Sequence, residues 1–600
     1  MAHNHNSNNN DASGLSRPKP AGLRELSPRA ILCGFFVAGL MGASYPYVVL
    51  KLGFGPNVSV VAAILGYIVL GLLVTRLAGF LRLPYRPYNR WENNIVQTAG
   101  TAAAQTAFMC VLLAAFDMLR RNPQVSFEMV VTPLESFAWL TSAGLLGVLL
   151  AVPLRRHFIV EEKLPYADGL AAGETILVCD SAGPTATRAA LAMLAGIALS
   201  AVLMALTEEA HLFDFFSSTL PLGTALMMKM GVGVEFSLLA IGSGMLIGLR
   251  INLSMLAGTI LSWVIAPYAL DAADFLPENF KRTDVLFWVM WPATGMMVAG
   301  GLAGLFLRWR VLARTFKNLA ARTTGADEFP LRGVVVGAIV CGAALVIVQE
   351  QFLGQPVWIT LTAILLSVPL ALVGLRVLGE TNWGPISALS NMMQGFFAFL
   401  APGNTPANMV ASGTTGTVAA ASEAIMQDYK AGDMVGSSPR SLTIMQLLAT
   451  PIGAAAVSWM YPVLRGQYGI GGDKGLASPI SVKWSGFAAI LSEGIDALPK
   501  GALTALFVGA LLGILLAILE MKAKNKMLVP SPTGLGIGML IPASVIVTMF
   551  LGGLIGAIWA RTHPRSSEVY QTPLASGLIA GEALVAVIVP LLIIIGIVHL

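Results

Sequence analysis

Residues 501–520 read GALTALFVGALLGILLAILE, nineteen uncharged positions closed by Glu520, with Lys522, Lys524 and Lys526 just beyond. As a helix, such a run crosses the roughly 30 Å hydrocarbon core of a bilayer. Comparable runs lie near 28–50, 57–80, 94–117, 133–154, 187–207, 222–247, 250–269 and 285–307. More follow near 331–350, 355–375, 384–402, 405–426, 441–463, 534–560 and 574–598. Together they suggest about sixteen membrane segments, of which two or more are candidates for re-entrant half-helices. Composition excludes a soluble protein: the 600 residues are 12% charged and 56% hydrophobic, against about 25% charged in soluble domains. Mean hydropathy is +0.74. The excess of 37 Lys and Arg over 32 Asp and Glu gives no reason to expect a nucleic-acid partner. The expected fold is an all-α polytopic membrane protein.

Residues 1–27 are rich in Asn, Ser and Pro and lack an apolar core, the composition of a disordered tail and not of a signal peptide. With that tail in the cytoplasm, internal connections carry Arg76, Arg82, Arg86 and Arg90. They also carry Arg308, Arg310, Arg314, Lys317 and Arg322, and later Lys522, Lys524 and Lys526. External connections carry Glu208, Glu209, Asp214, Asp271, Asp274 and Glu278. This asymmetry fits positive-inside placement and puts both termini in the cytoplasm. Short words also recur in order. Leu220-Pro221-Leu222-Gly223 matches Leu498-Pro499-Lys500-Gly501, and Ser254–Gly258 matches Thr548–Gly552. Gly295 to Val298 matches Gly577 to Ala580. These matches suggest a first membrane repeat over 28–322 and a second over 323–600. Eight spans per half would give both repeats the same orientation, an arrangement suited to a transporter.

Cys33, Cys110, Cys179 and Cys341 lie in or beside apolar stretches, with no CxxC pair. They read as small buried hydrophobes, and neither a disulfide framework nor a metal site is expected. His3 and His5 belong to the polar tail. The chain has no GxxxxGK[ST], HExxH or GxSxG motif, so ATP-driven transport, metalloprotease and serine-hydrolase chemistry drop out. No cofactor is expected.

Four polar interruptions remain. The first holds Glu92, Asn93, Asn94 and Gln97, which either line a solute path or cap a helix start. The second runs from Glu161 through Pro165, Asp168 and Glu174. It reads as a re-entrant or broken helix beside a wet cavity, or as an amphipathic surface helix. The third, 380–440, includes Asn382, Asn391, Gln394, Ser412, Thr414 and Thr415. Small and hydroxyl residues there serve close helix packing, but the amides and prolines beside them point to a binding site. Asp428 with Lys430 is either a gating ion pair or a solvated turn. The fourth is Glu582 in the final span, where a carboxylate costs about 2.5–3.5 kcal/mol on insertion scales. It is either a proton-coupling group or a paired structural acid, and Glu174 and Asp428 are further proton-coupling candidates.

Four of these words resemble one family. Lys163-Leu164-Pro165-Tyr166-Ala167-Asp168-Gly169 with Gly173-Glu174 looks like the first-half signature of the oligopeptide transporter (OPT) superfamily. Met426-Gln427-Asp428-Tyr429-Lys430-Ala431-Gly432 through Pro439-Arg440 resembles its second-half segment. Gly534 to Gly538 with Pro542 and Leu551-Gly552-Gly553, and then Ser576 to Glu582, are similar to its late spans. Ala167-Asp168 departs from the Pro-Glu or Pro-Ser that relatives often carry. The resemblance implies a proton-coupled secondary carrier, and the short tails and loops suggest a prokaryotic member in the bacterial inner membrane. Import of short peptides or peptide-like solutes leads, with metal-chelate uptake, as in the yellow stripe-like branch, as the alternative. A channel and an integral-membrane enzyme acting through Glu161–Asp168 are more remote. Homodimerisation is left open.

Overall fold

The computed structural model describes residues 19–20, 22–52, 58–82, 87–123, 125–180, 184–207, 217–307, 327–470, 476, 478–492, 499–523, 527 and 529–594. The expected tail up to residue 18 lies outside them, as do Arg86, Arg308 to Arg322, Glu208, Glu209, Asp214, Leu498, Lys524 and Lys526.

The first part of the chain forms α1 (Pro28–Leu52), α2 (Ser59–Phe80), α3 (Arg90–Arg121), α4 (Pro133–Ala151), α5 (Ala167–Asp180) and α6 (Pro184–Leu206). A two-stranded antiparallel hairpin follows, β1 (Thr219–Pro221) with β2 (Gly233–Glu235). Then come α7 (Leu238–Ile247), α8 (Leu249–Ala272) and α9 (Arg282–Leu307). The second part forms α10 (Leu331–Gln351), α11 (Val357–Thr381), α12 (Ile386–Leu400), α13 (Thr405–Val435) and α14 (Pro439–Tyr468). It ends with α15 (Pro479–Ser492), α16 (Ala502–Lys522), α17 (Pro532–Leu540), α18 (Ala543–Thr562) and α19 (Pro564–Ile594). Local chemistry sets many of these ends. Thr132 and Glu135 close a capping box on α4 with Pro133 in the first turn, and Asn404 caps α13 before Pro406.

Among the described residues eleven helices are long and apolar enough to cross a membrane, and shorter apolar helices accompany them. The expectation of about sixteen segments changes at three places. The run 222–247 is no span: the hairpin takes its first part and α7 has only 10 residues. The run 534–560 is broken, because Ile541 and Pro542 are extended (ψ 150° and 135°) between α17 and α18. The run 384–402 yields the 15-residue α12. In a membrane such breaks survive only where protein buries them or where they line a cavity.

The centre of the bundle is polar. The spanning window of α3 is 89% buried and that of α10 only 17%, so α3 is interior and α10 faces the surroundings. α13 is buried along most of its 31 residues although it carries Asn408, Ser412, Thr414, Thr415, Thr417, Ser422, Glu423 and Asp428. Glycines let the helices meet backbone to backbone. A methyl on Gly244 of α7 would fall inside contact distance of the Met549 carbonyl of α18, and one on Gly552 would strike the Ile241 carbonyl. Gly538 of α17 and Gly258 of α8 meet the carbonyls of Met255 and Leu535 in the same way. The end of the expected tail is also packed. Glu25 is buried, 2.7 Å from Lys19, and accepts the Ser438 backbone N–H at 3.0 Å.

Candidate functional site

α3 begins at Asn89, whose side chain accepts the Glu92 N–H at 2.9 Å. The Glu92 carboxylate is claimed by Arg29 Nε at 2.9 Å, by Asn89 Nδ2 at 2.7 Å and by Ser27. It therefore anchors α3 to α1. Asn93 donates to the Ala63 carbonyl and to Tyr88, tying α3 to α2. The next residues on the helix turn toward α13: Asn94 Nδ2 donates to Ser437 Oγ at 2.8 Å, and Gln97 Nε2 donates to Asp428 Oδ1 at 2.6 Å and to Thr101 at 2.9 Å. Asp428 thus receives Gln97, not Lys430.

This α3–α13 seam is under-satisfied. Asn94 Oδ1, Gln97 Oε1, Thr98 Oγ1, Gln427 Oε1 and Asp428 Oδ2 are buried with no hydrogen-bond partner. Gln97 and Asp428 are fully buried. Few such atoms persist in a native interior unless water or a ligand reaches them. The seam offers amide and hydroxyl oxygens and a carboxyl oxygen to a polar solute.

Beside the seam the helical chain breaks and starts again. α4 continues as 3-10 and π-helical turns over residues 152–161 and then breaks at Lys163 and Tyr166, which hold positive φ of 53° and 43°. Tyr166 bonds α11 twice, through its N–H to the Gly379 carbonyl (3.1 Å) and its hydroxyl to the Leu375 carbonyl (2.8 Å). Asp168 and Asn382 form a reciprocal pair: the Asp168 N–H donates to Asn382 Oδ1 at 2.9 Å, and Asn382 Nδ2 donates to Asp168 Oδ1 at 2.6 Å. Asn382 ends α11 in the left-handed region (φ 58°), which an Asn tolerates. Segment 161–174 is thus a broken helix, interrupted between residue 161 and the start of α5 at Ala167.

The remaining expected residues divide. Asn391 Oδ1 and Gln394 Oε1 are buried without partners, while Gln394 Nε2 donates to the Trp484 carbonyl at 3.3 Å. Ser412 bonds the Met409 carbonyl of its own helix. Thr414 receives Trp139 Nε1 (3.1 Å) and Gln349 Nε2 (2.7 Å), and Thr415 pairs with Ser367 at 2.8 Å. These threonines clasp α13 to α4, α10 and α11. Thr414→Val is expected to lower stability by about 1–2 kcal/mol and to leave the apparent affinity for solute unchanged, read by thermal denaturation and uptake kinetics. Glu582 accepts Ser237 Oγ at 2.7 Å and the Leu239 N–H at 2.9 Å, holding the start of α7. Glu174 is buried on α5.

Sequence reasoning passed over two features. Arg376 of α11 lies 3.0 Å from Glu380 and 3.5 Å from Glu162. Glu380 also accepts Ser531 Oγ at 2.9 Å and Thr533, so this network joins α11 to the segment before α5 and to α17. Glu423, inside the expected span 405–426, is 3% exposed. An ionisable residue within a span is itself a functional signal, and that rule would have found it.

An all-helical bundle with many apolar spans, short apolar helices and a buried polar interior is consistent with a membrane transporter. The family model described as OPT oligopeptide transporter protein matches residues 25–593, and the chain belongs to that family of multi-pass membrane transporters, which are not enzymes. The chain is 24% identical to a probable metal-nicotianamine transporter, YSL8, of Arabidopsis thaliana, over 87% of this chain and 80% of that one. It is 24% identical to the metal-nicotianamine transporter YSL2 of the same plant, over 81% of each. A putative oligopeptide transporter of Saccharomyces cerevisiae, YGL114W, is 22% identical over 87% of this chain and 89% of its own.

Proposed function

We propose that the chain is a proton-driven secondary carrier that imports small amino-carboxylate solutes across the plasma membrane, with both termini cytoplasmic. The observation that carries this reading is the α3–α13 seam, where amide and carboxyl atoms lie buried without partners. Asn94, Gln97, Gln427 and Asp428 would meet the solute there, with Asn391 and Gln394 bordering the path. Of the two solute classes, metal held by an amino-carboxylate chelator is favoured over free peptide. Two of the relatives are named for metal–nicotianamine transport and align with most of both chains. This reverses the order that the sequence suggested. A chelated metal already has its ligands, so the path needs only polar groups for the chelator.

We further propose that the chain consists of two halves in inverted orientation, in place of the same-orientation repeat expected from the span count. Glycine contacts support it by recurring with a constant step: 241, 244, 255 and 258 correspond to 535, 538, 549 and 552. α7 lies against α18 as α17 lies against α8. Gly295 of α9 meets Leu506 of α16, and Gly577 of α19 meets Met193 of α6. α8 runs parallel to α17 through Ser254–Ser531, Thr259–Gly538 and Trp263–Ile541. α7 runs parallel to α18, with Glu235 at Thr548, Ile241 at Gly552 and Met245 at Gly556. In each half the first of these helices packs on the second of the other, a crossed pairing that supports halves of opposite orientation. Inverted repeats around a central site are a common basis of alternating access.

Uptake of labelled nickel–nicotianamine by cells expressing the chain tests the solute class. Saturable uptake that excess unlabelled chelate suppresses and a di- to hexapeptide mixture does not is the expected result. Suppression by peptides alone would return the peptide reading.

A further inference from the structure

We infer that Glu423 of α13 is the group that binds and releases the transported proton. The inference rests on the proton-driven reading above and names the site where it acts. No hydrogen-bond donor meets Glu423 Oε1. The carboxyl is wedged between Gly374 of α11 and Gly384 of the segment joining α11 to α12, and a methyl on either would press on a carboxyl oxygen.

The hydroxyl and the cation of its surroundings are already engaged. The Tyr166 hydroxyl is already given to the Leu375 carbonyl. The Arg376 guanidinium is engaged by Glu380 and Glu162. α5 contributes Asp168, which is paired with Asn382, and Glu174. α12 has no titratable residue, and on α4 the only one is Glu135, in its first turn. Glu92 is provided for by Arg29, Glu380 by Arg376, Ser531 and Thr533, and Glu582 by the start of α7, while Asp428 takes Gln97 on one oxygen and lies at the seam with α3. A charge left on Glu423 would be buried and unpaired, a state that interiors avoid.

Its location gives that avoidance a consequence. The segment 382–385 that covers Glu423 is the one that Asn382 pins to the start of α5. When Glu423 loses its proton, the anion is stabilised only if this clamp opens to water; when it regains one, the clamp can close. Only an O–H bond is made or broken: the carboxylate takes a proton from the side of higher proton activity and returns it to the other. Protonation and conformation are thereby linked.

The test uses purified full-length chain in liposomes with nickel–nicotianamine as probe. Wild type should accumulate it under an inward proton gradient. Glu423→Gln, which mimics the neutral acid, should lose that accumulation by tenfold or more while keeping gradient-free exchange within about threefold. A Gln variant that accumulates like wild type overturns the assignment. Wild-type vesicles with no gradient-driven accumulation overturn the carrier reading instead. A second measurement does not depend on folding of the variant. Dicyclohexylcarbodiimide, which reacts with protonated buried carboxyls, should modify Glu423 of the wild type at pH 6 and much less at pH 9. No adduct on Glu423 at pH 6 also overturns the assignment.

Discussion

Arg376→Leu should destabilise the protein by about 3–5 kcal/mol, the usual result of removing one partner from a buried ion pair. Arg376 and Glu380 are each 8% exposed at the side chain, and Glu162 is 6% exposed. Leucine would leave two carboxylates beside each other without their cation. Ser531 and Thr533 would still donate to Glu380, and Glu162 would still lie 3.3 Å from His157, but both carboxylates would lose the guanidinium. The double variant Arg376→Leu with Glu380→Leu should recover part of the loss, because the unpaired charge goes with its partner. Thermal denaturation in detergent reads both. A single variant as stable as wild type would show that these charges do not hold α11 to the segment before α5 and to α17.

Gly258→Val should cost about 3 kcal/mol or more, at the upper end of overpacking effects. The reason is that a side chain there strikes the Leu535 backbone carbonyl, which cannot rotate away. Gly552→Val should behave alike, since its neighbour is the Ile241 carbonyl. Gly79→Ala is the control. It has open space around the new methyl, so it should be neutral or stabilise by roughly 0.5–1 kcal/mol through helix propensity. Equal effects at Gly79 and Gly258 would remove the backbone-contact argument.

Much of the fold was legible in hydropathy alone, because a helix crossing a bilayer must be apolar along its length. Hydropathy could not place the breaks. The stretch 534–560 is apolar throughout, and only Pro542 marks where α17 ends and α18 starts. The run 222–247 is largely apolar too, yet its first part is spent on the connection and second strand of a hairpin. Hydropathy also understates α13, whose hydroxyls and acids are buried by other helices. At the site, Gln97 and Asp428 were readable as polar residues in an apolar setting, but their meeting at 2.6 Å joins distant parts of the chain. Thr414 and Glu582 looked alike as polar groups in spans, and each is occupied by hydrogen bonds within the fold. Polarity identifies a candidate; its partners decide what it is left to do.

The central claim is that the chain couples proton movement to an amino-carboxylate solute that binds in the seam of α3 and α13. The most direct measurement follows the internal pH of liposomes holding the purified chain while nickel–nicotianamine is added outside. The account predicts acidification that begins with the chelate, saturates with its concentration and falls at least tenfold in Asp428→Asn. Chelate entry without any change of internal pH, or acidification unaltered by Asp428→Asn, would contradict it.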